Sequence, residues 1–307
     1  MTQAKELVMR KIRETMALIR RNGGNGHTVS APPPLWESAS EEHRQTAGWI
    51  SPAYVQSRTV KLDPLVLGRN RCLLSPDTTR EAESFRILRR RVLQLAKSSG
   101  ENAIMITSAL PGEGKTVTAI NLAFAISREF QHTVLLVDGD LKKQSIQTYL
   151  GYTGEKGLVD HLVGGTPVPE LITWTGIEKM TVISGGRLVN ESDEILGSPR
   201  MRELMEEMKG RYSERFIILD APPVLTGADV LTLAPLVDKI IVVVQAGKTS
   251  MDDVQKALGY LPQDKVLGLV LNRGSSPHPS SYYHDRDQQK QQEGHVMEQR
   301  KAGPWRQ

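Results

Sequence analysis

The sequence predicts an α/β fold in which helices cover both faces of a doubly wound, mostly parallel sheet. Six short apolar runs are typical of buried strands, and helix-like runs separate several of them. A glycine-containing turn at 109–114 joins one strand to a helix, and two other strands end in aspartate. Alternating strands and helices favour a parallel sheet, because parallel neighbours need a long crossover connection.

Composition limits the number of domains and the classes of partner. The 307 residues allow one large domain with extensions, and nearly all apolar runs fall in 103–272. No apolar stretch approaches the roughly 20 residues that span a bilayer. Residues 1–21 hold six basic and two acidic residues, which accounts for the net charge of +4 and argues against a nucleic-acid surface. The one cysteine, Cys72, suits a reducing cytoplasm, and its neighbours indicate neither a reactive thiol nor a metal site, so a structural cysteine is expected.

Three segments outside the predicted domain at 60–274 differ from it in composition. Residues 1–21 predict a basic amphipathic helix. Such a helix could contact an anionic membrane surface, a partner protein or its own domain, and the sequence leaves all three open. Residues 22–59 are rich in Gly, Pro and Ser and predict a flexible linker. The polar, Gln-rich tail at 275–307 is expected to be disordered.

Within the domain, ordered structure is predicted to resume near 60–67. A helix follows from Asp77 or Thr79 to Leu95, with an apolar stripe of Phe85, Leu88, Val92 and Leu95. The remaining predicted helices cover 117–127, 157–163, 199–212 and 250–260. The predicted strands cover 103–107, 133–138, 180–183, 216–220, 239–244 and 266–271.

The turn after the first of these strands has the pattern of a phosphate-binding loop. Residues 108–116 read SALPGEGKT, with Ala109 where the usual pattern begins with Gly. Backbone N–H groups of such a loop cradle phosphates at a helix N-terminus, Lys115 reaches the β/γ-phosphates, and Thr116 reaches Mg²⁺. The alternative is a glycine turn with an incidental Lys-Thr pair. The motif predicts a nucleoside triphosphate site formed by Pro111, Gly112, Glu113, Gly114, Lys115, Thr116 and Val117.

Three aspartates follow two of the predicted strands. Asp138 and Asp140 come at the end of 133–138, and Asp220 ends 216–220, at the edge where open α/β sheets bind ligands. Any one of them could be an ordinary turn or capping residue. Together, after a phosphate loop, they predict Mg²⁺ held by Thr116 with Asp138 or Asp220. One acid then remains to accept a proton or to orient an attacking water.

These segments together resemble the bacterial tyrosine kinases, cytoplasmic P-loop ATPases related to the Min/Par proteins. Residues 108–116, 134–140 and 216–223 match that family's Walker A, Walker A′ and Walker B motifs, and the resemblance spans 63–273. It implies ATP and Mg²⁺ as cofactors, with Asp138 and Asp140 near the metal and the acceptor hydroxyl and Asp220 at the metal. It also places Asn272 at the adenine.

The resemblance also implies an assembly and a partner. Glu83, Arg86 and Arg89 line one helix face and match the family's ring-forming interface motif, although such a face alone is more often simply solvated. The family controls the chain length and export of exopolysaccharide and capsule. A homo-oligomeric ring is therefore expected, at the inner face of the cell membrane, with a separate transmembrane co-polymerase as partner.

Three departures from the family pattern leave alternatives open. Lys142 and Gln144 stand where the family has Arg and Pro, and lysine lacks the bidentate fork of arginine, although Lys142 stays a candidate catalytic residue. The tail offers only Tyr282 and Tyr283 as autophosphorylation candidates, where the family has a dense tyrosine cluster. Residues 1–60 match nothing in the family.

We therefore expect an ATP-dependent protein-tyrosine autokinase, with two alternatives. One is a switch that assembles with ATP, as the Min/Par ATPases do, although Leu110 replaces their signature lysine. The other is a nucleotide-binding scaffold without kinase activity.

Overall fold

The structure is a computed structural model that describes residues 57–74, 79–97, 100–154 and 156–274. All of these except Gly274 belong to one compact unit, Thr28–Arg273. The predicted N-terminal helix, most of the predicted linker and the tail with Tyr282 and Tyr283 lie outside the described residues. The boundaries predicted for those segments therefore stay predictions.

The described strands form one eight-stranded sheet. They are β1 (Arg58–Thr59), β2 (Ala103–Ser108), β3 (Thr133–Asp138), β4 (Ile172–Trp174), β5 (Met180–Ile183), β6 (Arg215–Asp220), β7 (Lys239–Gln245) and β8 (Val266–Asn272). Their order across the sheet is β1-β4-β5-β3-β6-β2-β7-β8. Every neighbouring pair is parallel except β4 with β5. The carboxyl ends of β2, β3 and β6 therefore meet at one edge in the middle of the sheet.

Helices connect these strands. They are α1 (Pro64–Arg69), α2 (Arg80–Lys97), α3 (Lys115–Ser127), α4 (Ile146–Leu150), α5 (Leu158–Gly164), α6 (Val168–Leu171), α7 (Ser192–Leu196), α8 (Pro199–Gly210), α9 (Asp229–Leu233) and α10 (Met251–Tyr260), with short 3-10 turns at Val224–Thr226 and Ala234–Leu236. Across the described ranges, none of these helices combines the length and apolar character needed to cross a bilayer.

The predicted fold class is confirmed, and the predicted strands are found with ends shifted by at most one residue. Helix α1 occupies the stretch where order was expected to resume, with Asp63 as its N-cap (Leu65 N to Asp63 Oδ1, 2.8 Å). Helix α2 starts after Thr79, whose hydroxyl accepts from Ala82 N, while Asp77 lies outside the described residues. The sequence missed β1, which occupies the end of the predicted linker, and β4. Both strands are too short to show a periodic pattern.

Helix α3 is the centre of the core. Every residue of the helix except Val117 is buried, because α3 packs between the sheet and α2. Val92 and Leu93 of α2 join its core, Phe85 and Leu88 are half-buried, and the side chain of Leu95 is not described. A helix enclosed this way has little freedom to shift, so the loop at its N-terminus is held in place.

Cys72 belongs to the same core. Its burial raises the pKa of the thiol to about 12, so the side chain stays a neutral packing group rather than a reactive thiolate. The expectation of a structural cysteine agrees with this position.

Candidate nucleotide-binding site

The loop between β2 and α3 has the backbone of a phosphate cradle. Gly112 and Gly114 have φ angles of 81° and 96°, in the left-handed region that favours glycine. A Cβ on Gly114 would also collide with the side-chain amide of Asn272, which donates to Glu113 O at 2.8 Å. Asn272, predicted to contact adenine, therefore lies directly over the loop.

The buried Glu113 side chain holds this loop in place through hydrogen bonds. It is 2% exposed, and its carboxylate accepts from Leu110 N at 2.8 Å, from Gln245 N at 3.3 Å and from the Thr249 hydroxyl. Since the carboxylate is committed to these donors, the predicted contact of Glu113 with phosphate would fall to its backbone. No sequence pattern indicates Gln245 and Thr249 as partners of Glu113, because they are more than 130 residues away along the chain.

The structure brings together the three predicted aspartates and Lys115. Lys115 Nζ lies 2.7 Å from Asp140 Oδ2 and 3.5 Å from Asp220 Oδ1. Thr116 donates its hydroxyl to Asp220 Oδ2 at 2.6 Å. Asp138 accepts from Ile146 N at 3.1 Å and from Asp140 N at 3.3 Å, and its strand position is paired with Asp220. All five side chains are buried.

Burial and mutual repulsion shift the ionisation of this cluster. Burial, followed by the charge of Asp220, raises the pKa of Asp138 to about 8. Burial also raises the pKa of Asp220, against the opposing effects of Lys115 and the Thr116 hydroxyl. For Lys115, burial lowers the pKa, but the carboxylates of Asp220, Asp140 and Asp138 outweigh it and raise the pKa overall. The ammonium group stays charged, and Asp138 holds a proton near neutral pH.

The residues fit a magnesium ion that completes its shell with nucleotide oxygens and water. Asp220 Oδ1 is a buried oxygen that accepts no hydrogen bond among the described residues and has only the long ion-pair contact with Lys115 at 3.5 Å, next to the Thr116–Asp220 hydrogen bond. Within the described part of the chain, no group of three or more His, Cys, Asp or Glu side chains could hold a metal by itself. Few protein ligands are what Mg²⁺ usually takes in such sites.

Gly139 fixes the distance between the two acidic strand ends. Its N–H donates to Asp220 O at 2.8 Å, and a Cβ at this position would lie only 3.0 Å from that oxygen. A larger residue would push the loop after β3 away from β6. The glycine between Asp138 and Asp140 therefore keeps the carboxylates of both strands in one cluster.

Lys142 lies apart from this cluster. Its Nζ is 2.9 Å from Asp229 Oδ2, and the other oxygen of Asp229 accepts from the Ser192 hydroxyl. Asp229 and Ser192 are buried, whereas the Lys142 side chain is 44% exposed. The contact ties the loop after β3 to α9 and α7. Direct catalysis by Lys142 stays a prediction, and Asp229 and Ser192 are partners that the sequence did not indicate.

The predicted interface residues lie on α2. Arg86 and Glu83 form an exposed ion pair at 2.5 Å. Arg89 instead turns toward α3, where its Nε lies 2.8 Å from Glu129 Oε1 and its Nη1 donates to Ala125 O at 3.1 Å. The three side chains therefore divide between an exposed pair and an internal contact.

Comparison with known proteins gives the same class as the fold and the loop. The ParA family, described as NUBPL iron-transfer P-loop NTPase, matches residues 99–301. The tyrosine-protein kinase YwqD of Bacillus subtilis (strain 168) is 30% identical over 206 residues, covering 66% of this chain and 86% of YwqD. The succinoglycan biosynthesis transport protein ExoP of Rhizobium meliloti (strain 1021) is 31% identical, covering 62% of this chain and 25% of ExoP.

A solved structure supports this relationship. The chimerical protein CapA2B2 superposes with a TM-score of 0.60 at 27% identity, covering 76% of this chain and 99% of that protein. The fold and the site thus define a P-loop NTPase of the ParA type. Within that class, the chain belongs to the family of bacterial tyrosine-protein kinases.

The raised pKa of Asp138 predicts a stability that falls as pH rises. In the folded protein Asp138 holds a proton up to a pH of about 8, whereas in the unfolded chain this carboxyl loses it near pH 3.8. The folded state therefore binds the extra proton, and the free energy of unfolding should fall by about 1–2 kcal/mol between pH 6.5 and 8.5. Urea unfolding without Mg²⁺ measures this change. Asp138→Asn should flatten the dependence, and the exposed control Asp252→Asn should keep it; an unchanged slope in Asp138→Asn would contradict the assignment.

The Lys142–Asp229 contact predicts a positioning role for Lys142. Lys142→Met should lower the free energy of unfolding by about 1 kcal/mol, because the buried Asp229 carboxylate loses its cation. It should also slow turnover with little change in the KM for ATP, while Lys142→Arg retains most of the wild-type rate. Urea unfolding and steady-state kinetics measure the two effects. Lost turnover with unchanged stability would instead support direct catalysis by Lys142.

Proposed function

We propose that the protein is an ATP-dependent protein-tyrosine autokinase. The observation that carries the proposal is the buried cluster at the end of the phosphate loop. There Lys115 and Thr116 meet Asp140 and Asp220 within 2.6–3.5 Å. This is the set that phosphoryl transfer needs: an ammonium group for the phosphates, a hydroxyl and a carboxylate for magnesium, and a further carboxylate for the acceptor.

Each side chain has a distinct task in this proposal. Thr116 and Asp220 would hold Mg²⁺, which would neutralise the phosphate charge. The β/γ-phosphates compete with Asp140 for Lys115 Nζ, so nucleotide binding frees the Asp140 carboxylate. Asp140 then accepts the proton of the tyrosine hydroxyl as its oxygen attacks the γ-phosphorus and the bond to ADP breaks. Asp138 orients the loop through Ile146 N and Asp140 N.

The polysaccharide machinery is the proposed setting. ExoP is named for succinoglycan biosynthesis and transport. We infer a similar role for this chain in the chain length and export of exopolysaccharide or capsule. It would act at the inner face of the cell membrane with a transmembrane co-polymerase as its partner. The basic segment at 1–21 is a candidate for the contact with that partner or with lipid.

Mass spectrometry of the protein incubated with ATP and Mg²⁺ tests the kinase. Phosphate is expected on Tyr282 or Tyr283. Lys115→Met should lower the rate about 100-fold or more, because a preorganised charge on the transferring phosphate is lost. Lys248→Met, an exposed lysine outside the site, is the control and should act as wild type. An unmodified tail with intact ATP hydrolysis would favour an assembly switch, and a near-normal rate in Lys115→Met would remove Lys115 from the mechanism.

The division of the α2 residues predicts separate effects on assembly and on folding. Arg86→Ala should reduce self-association, measured by light scattering, with little change in Tm, because its pair with Glu83 is exposed. Arg89→Ala should also lower Tm by a few degrees, because its contacts with α3 are lost. Arg202→Ala on α8 serves as an exposed control. If the Arg86→Ala variant still forms the oligomer, the Glu83–Arg86 pair is a solvated surface pair and not part of an interface.

A further inference from the structure

The cavity in front of the phosphate loop has a basic wall that none of the sequence motifs includes. The cavity has a volume of about 740 Å³ and opens on Gly112 and on the start of α3. Its other lining comes from the corner after α1, the segment before and within α4, and the end of β8. Among the described lining residues there is no acid. We call its four basic residues outside the loop the cationic wall: Arg69, Arg71, Lys143 and Arg273.

Two residues of the cationic wall have an unusual backbone. Arg71 and Arg273 both have a φ angle of 58°, which is uncommon for any residue except glycine. They lie on different elements, yet both line this cavity. Residues in such sparsely populated conformations persist where the surrounding structure holds them, and they cluster at ligand sites. The shared conformation therefore marks both positions as candidates for ligand contact.

Buried asparagine holds the corner that carries Arg69 and Arg71. Asn121 of α3 donates its side-chain amide to Arg71 O at 2.9 Å and accepts from Leu73 N at 2.7 Å. Asn121 is 3% exposed. On the other side, Asn70 donates to Tyr149 O at 2.9 Å. The arginine corner is thus fixed to the helix that begins at the phosphate loop and to α4.

The aspartates behind Lys115, which do not line the cavity, leave little positive charge for a ligand. Lys115 is already paired with Asp140 and Asp220, and the three aspartates together carry more charge than one ammonium group offsets. A bound Mg²⁺ would offset that surplus. A nucleoside triphosphate then brings about four further negative charges. The four side chains of the cationic wall can offset this charge, and no carboxylate among the described lining residues competes for them.

We propose that the cationic wall binds the polyphosphate of the nucleotide and gives the site its preference for triphosphate over diphosphate and monophosphate. The inference rests on the nucleotide binding proposed above and assigns part of it to residues outside the motifs. Arginine suits this task because its planar fork binds two phosphate oxygens at once. The preference follows from charge, since each phosphate removed from the ligand leaves part of the wall without a partner.

Calorimetric titration with ATP·Mg, ADP·Mg and AMP tests the cationic wall. The double substitution Arg69→Gln and Arg71→Gln should weaken the binding of ATP·Mg about tenfold. Two exposed charge contacts are lost, and each contributes a few-fold to the affinity. The affinity for ADP·Mg should fall less, and the affinity for AMP should stay within about twofold of the wild-type value. Raising the salt concentration should weaken ATP·Mg less in the double variant than in wild type. Arg202→Gln, an exposed arginine on α8, is the matched control and should bind as wild type.

The three ligands separate failure of this inference from failure of the proposed function. A wild-type protein that binds neither ATP·Mg nor ADP·Mg would overturn the proposed function, and this inference with it. Normal wild-type binding with unchanged ATP·Mg affinity in the double variant would overturn this inference alone. An equal loss for AMP and ATP·Mg would also overturn it, because the arginines would then be holding the nucleoside or the loop. Thermal unfolding of the double variant confirms that the fold is intact.

Discussion

The whole site depends on one electrostatic constraint, the burial of three carboxylates around a single ammonium group. Removing such charges from water costs several kcal/mol for each ion even after relaxation, and that cost is offset only where every charge finds a partner. Lys115 forms ion pairs with Asp140 and Asp220, the Thr116 hydroxyl donates to Asp220, and backbone N–H groups donate to Asp138. The raised pKa of Asp138 shows that this compensation is incomplete. An arrangement with too few cations is suited to a magnesium ion.

The rest of the fold mainly holds loops from different parts of the chain in fixed positions around this charge cluster. Glu113 ties the phosphate loop to the end of β7, Gly139 ties the loop after β3 to the end of β6, and Asn121 ties the corner after α1 to α3. Each brace joins a backbone to a side chain or to another backbone over a long sequence separation. Because α3 is enclosed by core on nearly all sides, a shift in one loop is resisted by the others.

The sequence was informative wherever a physical signal is local. Six strands could be predicted, because a buried parallel strand needs a continuous apolar run, and the acid cluster followed, because parallel strands end at the same edge. Strands β1 and β4 could not be predicted, since a strand of two or three residues shows no periodic pattern. The partners of Glu113 and Lys142 were also hidden, because they are set by tertiary contacts. The cationic wall has no fixed spacing, so only the folded chain assembles it.

Lys142 shows how such tertiary contacts change the meaning of a motif. The resemblance to the kinases places an arginine at this position, where a bidentate fork would bind two oxygens of one acceptor. Here Asp229 accepts from Lys142 at Oδ2 and from the Ser192 hydroxyl at Oδ1. A single-point ammonium donor satisfies Oδ2, whereas an arginine fork would add a second donor to Oδ1 beside the serine hydroxyl, which a carboxylate oxygen can accept. Lysine at 142 and the Ser192–Asp229 pair are therefore consistent with each other, and the exchange preserves the tie between the loop after β3 and α9.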